Sequence, residues 1–174
     1  MPTPPFNIRV RDVARGDLDA LAALRPTREL HAARVCSDID DDAKRYFLAE
    51  TSSGDAGDRR PIGFGVIYFR GEPTWRRPDR VPLIMDLWVA PNLRRRGVGG
   101  MILRACEDAA RARSFPCVFL QVQPLRDPAV VAMYERRGYQ RLQQEPYRDL
   151  YAEVDDAGVL RESQALILDM QKWL

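Results

Sequence analysis

The chain has little with which to build a metal centre or a disulfide framework: it holds three cysteines, Cys36, Cys106 and Cys117, and one histidine, His31. Odd in number and widely separated, the cysteines read as ordinary thiols. No apolar run reaches the roughly 20 residues that span a bilayer. The opening Met1-Pro2-Thr3-Pro4-Pro5 lacks the charged and hydrophobic regions of a secretory signal, so the cytoplasm is the expected compartment and a membrane partner is not expected. Net charge is only +2 and aromatic side chains do not alternate with the basic ones, which argues against a nucleic-acid surface. There are no repeats. What is present is 174 residues, 45% hydrophobic and 30% charged, which describes one domain over 1–174 with enough chain to bury a real core.

The most informative stretch runs from Val89 to Leu103, where an apolar strand meets an amphipathic helix through Arg94, Arg95, Arg96, Gly97, Val98, Gly99 and Gly100. Glycines let the backbone bend sharply and approach a bulky anion, and the first N–H groups of the helix lack intrahelical partners. The helix dipole and the three arginines add positive potential at the same end, which makes the turn a candidate phosphate cradle. It is not a Walker loop, because Met101 and Ile102 follow Gly100 where Lys and Ser or Thr are required. The glycine spacing also fails the dinucleotide fingerprint.

Phe6 to Val10 reads as a strand and Asp17 to Leu24 as a helix ended by Pro26. A second helix, interrupted or begun near Ser37, is expected within His31 to Phe47, with Asp38, Asp40, Asp41 and Asp42 near its middle. Those carboxylates are either a helix start on a solvated face or a rim that attracts cations. Tyr46 to Glu50 and Ile62 to Phe69 read as strands, the second apolar or bare on both faces as a central strand is. Val81 to Val89 follows, and its pleat places Asp86 and Trp88 on one side and Leu87 and Val89 on the other. A carboxylate in that strand costs several kcal/mol to bury unpartnered, so Asp86 is either salt-bridged or chemically active. The helix from Gly99 to about Ser114 turns Ile102, Leu103, Cys106 and Ala110 inward and exposes Arg104, with Glu107 and Arg111 as an exposed i,i+4 pair. Cys117 to Val122 is the next strand, parallel to the one before it through a right-handed crossover. Asp127-Pro128 starts a helix that stops at Gly138. Tyr139 to about Gln143 is a strand, Glu145 to Glu162 a polar, acidic excursion, and Gln164 to Trp173 a closing strand.

Arg94-Arg95-Arg96-Gly97-Val98-Gly99 resembles the (Gln/Arg)-x-x-Gly-x-(Gly/Ala) pyrophosphate motif of the GNAT superfamily of acetyl-CoA-dependent N-acetyltransferases. Leu87-Trp88-Val89-Ala90-Pro91 precedes it, and Met133-Tyr134-Glu135-Arg136-Arg137-Gly138-Tyr139 is similar to the family's Leu-Tyr-x-x-x-Gly-Phe. The resemblance is strong from Ile62 to Leu142. It implies an α/β (α+β) fold, a twisted and largely antiparallel sheet of six to seven strands with helices on both faces and a splayed central parallel pair. It further implies acetyl-CoA as cosubstrate without a metal, held by Leu87, Trp88, Val89, Arg94 to Arg96, Gly97, Val98, Gly99, Gly100, Asp127 and Tyr134. Asp127 departs from the family's usual Asn and would repel a phosphate.

The implied reaction is acetyl transfer to a primary amine, a small cationic one given the acidic stretches. The alternatives are a non-catalytic acyl-CoA sensor and a GNAT acting on a protein or peptide amine; a homodimer is left open. An alkylamine is neutral in roughly one molecule in a thousand at pH 7, so freeing its lone pair costs about 4 kcal/mol and something must take the proton. Asp86 is the candidate base, because it sits on the cradle strand just before the backbone that the resemblance expects to hold the thioester, as acidic residues do in diamine-acetylating members of that family; the family's other common glutamate position, three residues earlier, is Leu83 here. The resemblance gives Tyr134 the task of protonating the departing thiolate.

Overall fold

A computed structural model describes residues 7–24, 35–52, 59–70, 81–125, 128–154 and 160–174. The strands are β1 (Asn7–Asp12), β2 (Lys44–Ser52), β3 (Arg59–Tyr68), β4 (Leu83–Val89), β5 (Cys117–Val122), β6 (Gln140–Arg141), β7 (Tyr147–Val154) and β8 (Leu160–Trp173). The helices are α1 (Leu18–Leu24), α2 (Val98–Ala112) and α3 (Pro128–Arg136). One sheet runs in the order β1-β2-β3-β4-β5-β8-β6, with β7 also paired to β8. β1 to β4 form an antiparallel meander, β4 and β5 are parallel through the α2 crossover, and β8 lies antiparallel to β5. The mixed sheet with its central parallel pair is the architecture expected.

Two cores occupy the two faces. On one, α2 and α3 cover Phe47, Ala49, Ile62, Ile84, Val118, Leu120, Leu168 and Met170. On the other, Leu21 of α1 and Val35 cover Tyr46, Leu48, Phe64 and Val66. The alternation of Tyr46 and Leu48 with Phe47 and Ala49 between these cores shows why residues from Lys44 onward are strand and not the continuation of a helix, as expected for His31 to Phe47. Among the described residues of that span only 35–38 are helical; His31 lies outside the described residues. α2 sits close on β3 because Gly65 has no Cβ: one built there would stand 2.7 Å from Ile102 Cγ2.

Three further expectations are corrected. The sheet has eight strands, because the polar stretch after Glu145 is a hairpin in continuous register from Tyr147 opposite Ile167 to Val154 opposite Leu160. Arg148, Asp149 and Leu150 are all exposed, so this ribbon carries no two-residue burial signal in its sequence. Glu107 is not on the exposed side of α2; it is 3% exposed. It accepts hydrogen bonds from Lys172 Nζ at 2.8 Å and from the Tyr139 hydroxyl at 3.1 Å, while Arg111 pairs with Asp108. A long side chain can lie along the helix to reach a buried cation, which the helical period alone does not reveal. Finally, the β4 pleat is interrupted, as described below.

Candidate active site

The β3–β4 register places Val66 opposite Met85 and Phe64 opposite Trp88, so Asp86 and Leu87 together face Gly65. This is a β-bulge, with Asp86 as its extra residue at φ 51. Asp tolerates the left-handed region better than most residues, which suits it to the position. The bulge corrects the simple alternation: Leu87 and Val89 join the α2 core and Trp88 stacks on Phe64 across the sheet at 6.0 Å, but Asp86 belongs to neither series. It is half-buried.

β4 and β5 pair only where Leu83 faces Phe119 and Ile84 faces Leu120. Beyond those residues the strands part and leave a notch toward their C-terminal ends. Ala90 N–H bonds Ile62 C=O on β3. By alternation, the Trp88 backbone also faces β3, and that of Leu87 and Val89 faces the notch. The sequence-predicted trio is thus divided: Leu87 and Val89 offer their backbone to the notch and Trp88 does not.

At the head of the notch, residues Pro91–Leu93 form a 3₁₀ turn, and Arg94 Nε donates to Val89 C=O at 3.1 Å, fastening the loop to the strand end. Arg95 (φ 62) and Gly97 (φ 85) take left-handed conformations that turn the chain into α2. Gly97 is the N-cap and gives no side-chain hydrogen bond, so among the described residues no side chain caps the first N–H groups of α2. The Val98 side chain is buried in the core, leaving only its N–H to the cradle. Arg94, Arg95 and Arg96 are exposed around this end. Gly99 has room: a Cβ there would meet only Val89 Cγ2, at 3.6 Å. Gly100 has none, because the Arg137 guanidinium occupies the place of its side chain. Arg137 is therefore a fourth cation at the cradle, missed in the sequence because it stands 37 positions from Gly100. It and Arg104 line a cavity of about 410 Å³ on the outward side of the same turns. Among the described residues no carboxylate pairs with Arg137. An anionic, elongated cosubstrate fits this geometry, with phosphates at the helix end and an acyl arm in the notch.

Tyr134, on α3, is 7% exposed and stands edge-on to Tyr139 at 5.5 Å. Burial pushes its phenol up to about 12, with Cys106 adding to the shift, so it holds its proton at neutral pH. Among the described residues its hydroxyl has no hydrogen-bond partner, which leaves it available to a ligand. Asp127 lies outside the described residues; α3 spans Pro128–Arg136, and the chain turns away from it at Gly138, φ 87. The acidic run is answered from within: Asp38 and Asp41 by Lys44, Asp40 by Arg15 and Asp42 by Arg113.

Residues 12–139 match the model of the acetyltransferase (GNAT) family. An uncharacterised N-acetyltransferase of Bacillus subtilis strain 168, YhfO, is 33% identical over 81 residues, which is 45% of this chain and 51% of that protein. The matched region thus spans about half the length of this curated relative. Among solved structures, a spermidine N-acetyltransferase chimera from Vibrio cholerae SpeG and hSSAT superposes with a TM-score of 0.64 at 18% identity, over 95% of each chain. A ribosomal-protein-alanine N-acetyltransferase from Brucella melitensis gives 0.63 at 16% identity, over 95% of this chain and 99% of that one. A GNAT family acetyltransferase from Elizabethkingia anophelis with acetyl-CoA bound gives 0.59 at 16%, over 97% and 99%. At these identities the structures attest the fold.

Proposed function

The chain belongs to the GNAT family of acetyltransferases, and from that premise we propose that it transfers an acetyl group from acetyl-CoA to the amine of a small cationic acceptor. The observation that carries this reading is the parting of β4 from β5 directly below an uncapped helix N-terminus. The pairing of those two features gives one site both an anion cradle and a slot for an acyl arm. The solved relatives include enzymes named for spermidine and for a ribosomal-protein alanine, so the acceptor is argued here from the site: a half-buried carboxylate, Asp86, at the slot.

Each residue has a distinct task in this proposal. The N–H groups of Val98, Gly99 and Gly100 bind the diphosphate, with Arg94, Arg95, Arg96 and Arg137 supplying charge around it. The notch-facing backbone of Leu87 and Val89 orients the acyl arm by hydrogen bonds. Acetyl-CoA supplies the activated acyl group. Asp86 receives the ammonium proton of the acceptor, directly or through water, and Tyr134 gives a proton to the leaving sulfur. Burial of Tyr134 suits it to the acid role, because a phenol pushed up to about 12 is fully protonated where the reaction runs.

The test is thiol release from acetyl-CoA by the pure protein with polyamines, aminoglycosides, amino acids and peptides. Turnover on a cationic small amine, first order in both reactants at low concentration, is expected. Tight acetyl-CoA binding with no turnover on any amine would instead establish a sensor, and turnover on peptides alone would make the acceptor a protein amine.

A further inference from the structure

β5 is buried at every position except Gln121. Its neighbours Leu120 and Val122 point into the α2 core, so Gln121 stands on the opposite face of the sheet. Leu120 is also the last β5 residue paired with β4, which makes Gln121 the first to border the notch, level with Met85 and next to the Asp86 bulge. Behind it, Asp169 of β8 sits directly opposite Gln121 in the β5–β8 register and is 1% exposed. A carboxylate so buried ordinarily has a cation beside it. Among the described residues Asp169 has none; it is held by neutral donors.

Those donors fix the orientation of the amide. Asp169 Oδ1 accepts from Gln121 Nε2 at 3.0 Å and from the Tyr147 hydroxyl at 3.0 Å, and Gln121 Nε2 also donates to the Tyr147 oxygen at 3.0 Å. Both amide hydrogens are thereby used, and a flipped amide would set Oε1 against the carboxylate and lose both bonds. Gln121 therefore presents Oε1, which has no donor among the described residues, at the rim of the notch. The negative charge of Asp169 lies one hydrogen bond behind it, without a counter-charge and away from water, where its field is least screened. A ligand that donates N–H and carries positive charge answers both features at once.

We propose that Gln121 binds the acceptor ammonium through Oε1 on the face of the sheet opposite α2, and that Asp169 and Tyr147 position it and supply the charge that selects cations. The inference rests on the amine-acceptor reading above and adds the residues that recognise the amine. Its acceptor then enters the notch from the side away from the cradle.

The measurement is calorimetric titration of 1,4-diaminobutane into the protein saturated with coenzyme A, which needs no turnover. Gln121→Leu removes Oε1 at an exposed position and is expected to weaken diamine binding about tenfold or more, as is Asp169→Asn, with coenzyme affinity unchanged in both. The reversed pair, Asp169→Asn with Gln121→Glu, lets an amide support an outward carboxylate and should restore binding to wild-type strength or better. A merely structural stitch between β5, β7 and β8 would lower Tm in Asp169→Asn and leave diamine affinity unmoved in Gln121→Leu, which would overturn the proposal. Absence of diamine binding to the wild type would overturn it as well, while thiol release with another acceptor would leave acetyl transfer standing. Diamine binding that depends on Gln121 without thiol release would support the amine site and refute catalysis.

Discussion

The two faces of the sheet handle buried charge in opposite ways. On the α2 side, Glu107 is closed off by Lys172 and Tyr139, each of which donates to one of its oxygens, and is 3% exposed. On the other side, Asp169 is just as buried but among the described residues meets only a hydroxyl and an amide, and the amide leads outward to the notch. The first arrangement binds α2 to β8 and to the segment just after α3, and is complete in itself. The second is completed by a positive ligand. Whether a buried carboxylate has its counter-ion within the chain thus separates a structural group from a recognising one, which neither residue type nor burial does.

The largest effect expected from breaking that contrast is on the closed side. Glu107→Ala strands Lys172 and the Tyr139 hydroxyl in a site where the carboxylate is 4% exposed, and loss of one partner of a buried pair costs about 3 to 5 kcal/mol. Urea unfolding should show it. A loss under about 1 kcal/mol would mean that the two carboxylates differ less than their partners suggest.

Second in size is the cradle. A Cβ at Gly99 has only ordinary contact with Val89, so Gly99→Val should fold with little change in Tm while placing bulk where the diphosphate approaches. We expect coenzyme affinity to fall about a hundredfold, about 2.7 kcal/mol, by calorimetry. Wild-type affinity in this variant would remove the helix N-terminus from the site.

The same contrast explains what the sequence makes legible. The proposed cradle is contiguous: strand, turn and helix follow one another from Leu83 to Ala112, so glycines, arginines and the helical period stand side by side and this local structure can be read directly. Tyr134 and the stop at Gly138 are legible for the same local reason. The proposed acceptor side combines Asp86, Gln121, Tyr147 and Asp169 on four strands, and only Asp86 stands out, as a carboxylate in an apolar run. Even there the alternation misleads, because a bulge depends on the partner strand and on Gly65. Arg137 at Gly100 and Lys172 at Glu107 are likewise contacts between distant segments, invisible to any local period. The acidic run at Asp38 to Asp42 was legible as charge, but not as charge already matched by Arg15, Lys44 and Arg113.

Third is the proton chemistry, which joins the two faces. Tyr134→Phe should lower kcat tenfold or more, about 1.4 kcal/mol, with coenzyme affinity nearly unchanged. Because burial pushes this phenol up to about 12 from an ordinary 10, the folded state keeps a proton that the unfolded chain gives up. The stability it contributes is therefore complete below about 10 and is lost as pH rises from there through about 12, a window in which wild type should lose stability relative to Tyr134→Phe. Asp86→Asn should move the pH–rate profile to higher pH, since the amine must then lose its proton unaided. An unmoved profile would leave solvent as the proton carrier.

The smallest expected effect lies in the backbone of the cradle. Arg95 holds φ 62 without being glycine, a conformation that costs a side-chain-bearing residue of order 1 kcal/mol. Its guanidinium is exposed, so what it returns is charge near the diphosphate, worth about 0.2 to 1 kcal/mol for an exposed ion pair. Arg95→Gly removes both terms. Stability should rise by up to about 1 kcal/mol in urea unfolding, offset in part by glycine's greater freedom in the unfolded chain. Coenzyme affinity should fall by no more than about fivefold, and the difference from wild type should shrink as salt screens the exposed charge. Arg95→Ala keeps the strained φ and loses the same charge, so it should show the affinity loss without the gain in stability. If the two variants are equally stable, the turn is held by something other than the left-handed residue. If Arg95→Ala weakens coenzyme binding as much as Gly99→Val does, charge rather than the open helix end holds the phosphates, and the contrast between the two faces rests on Asp169 and Glu107 alone.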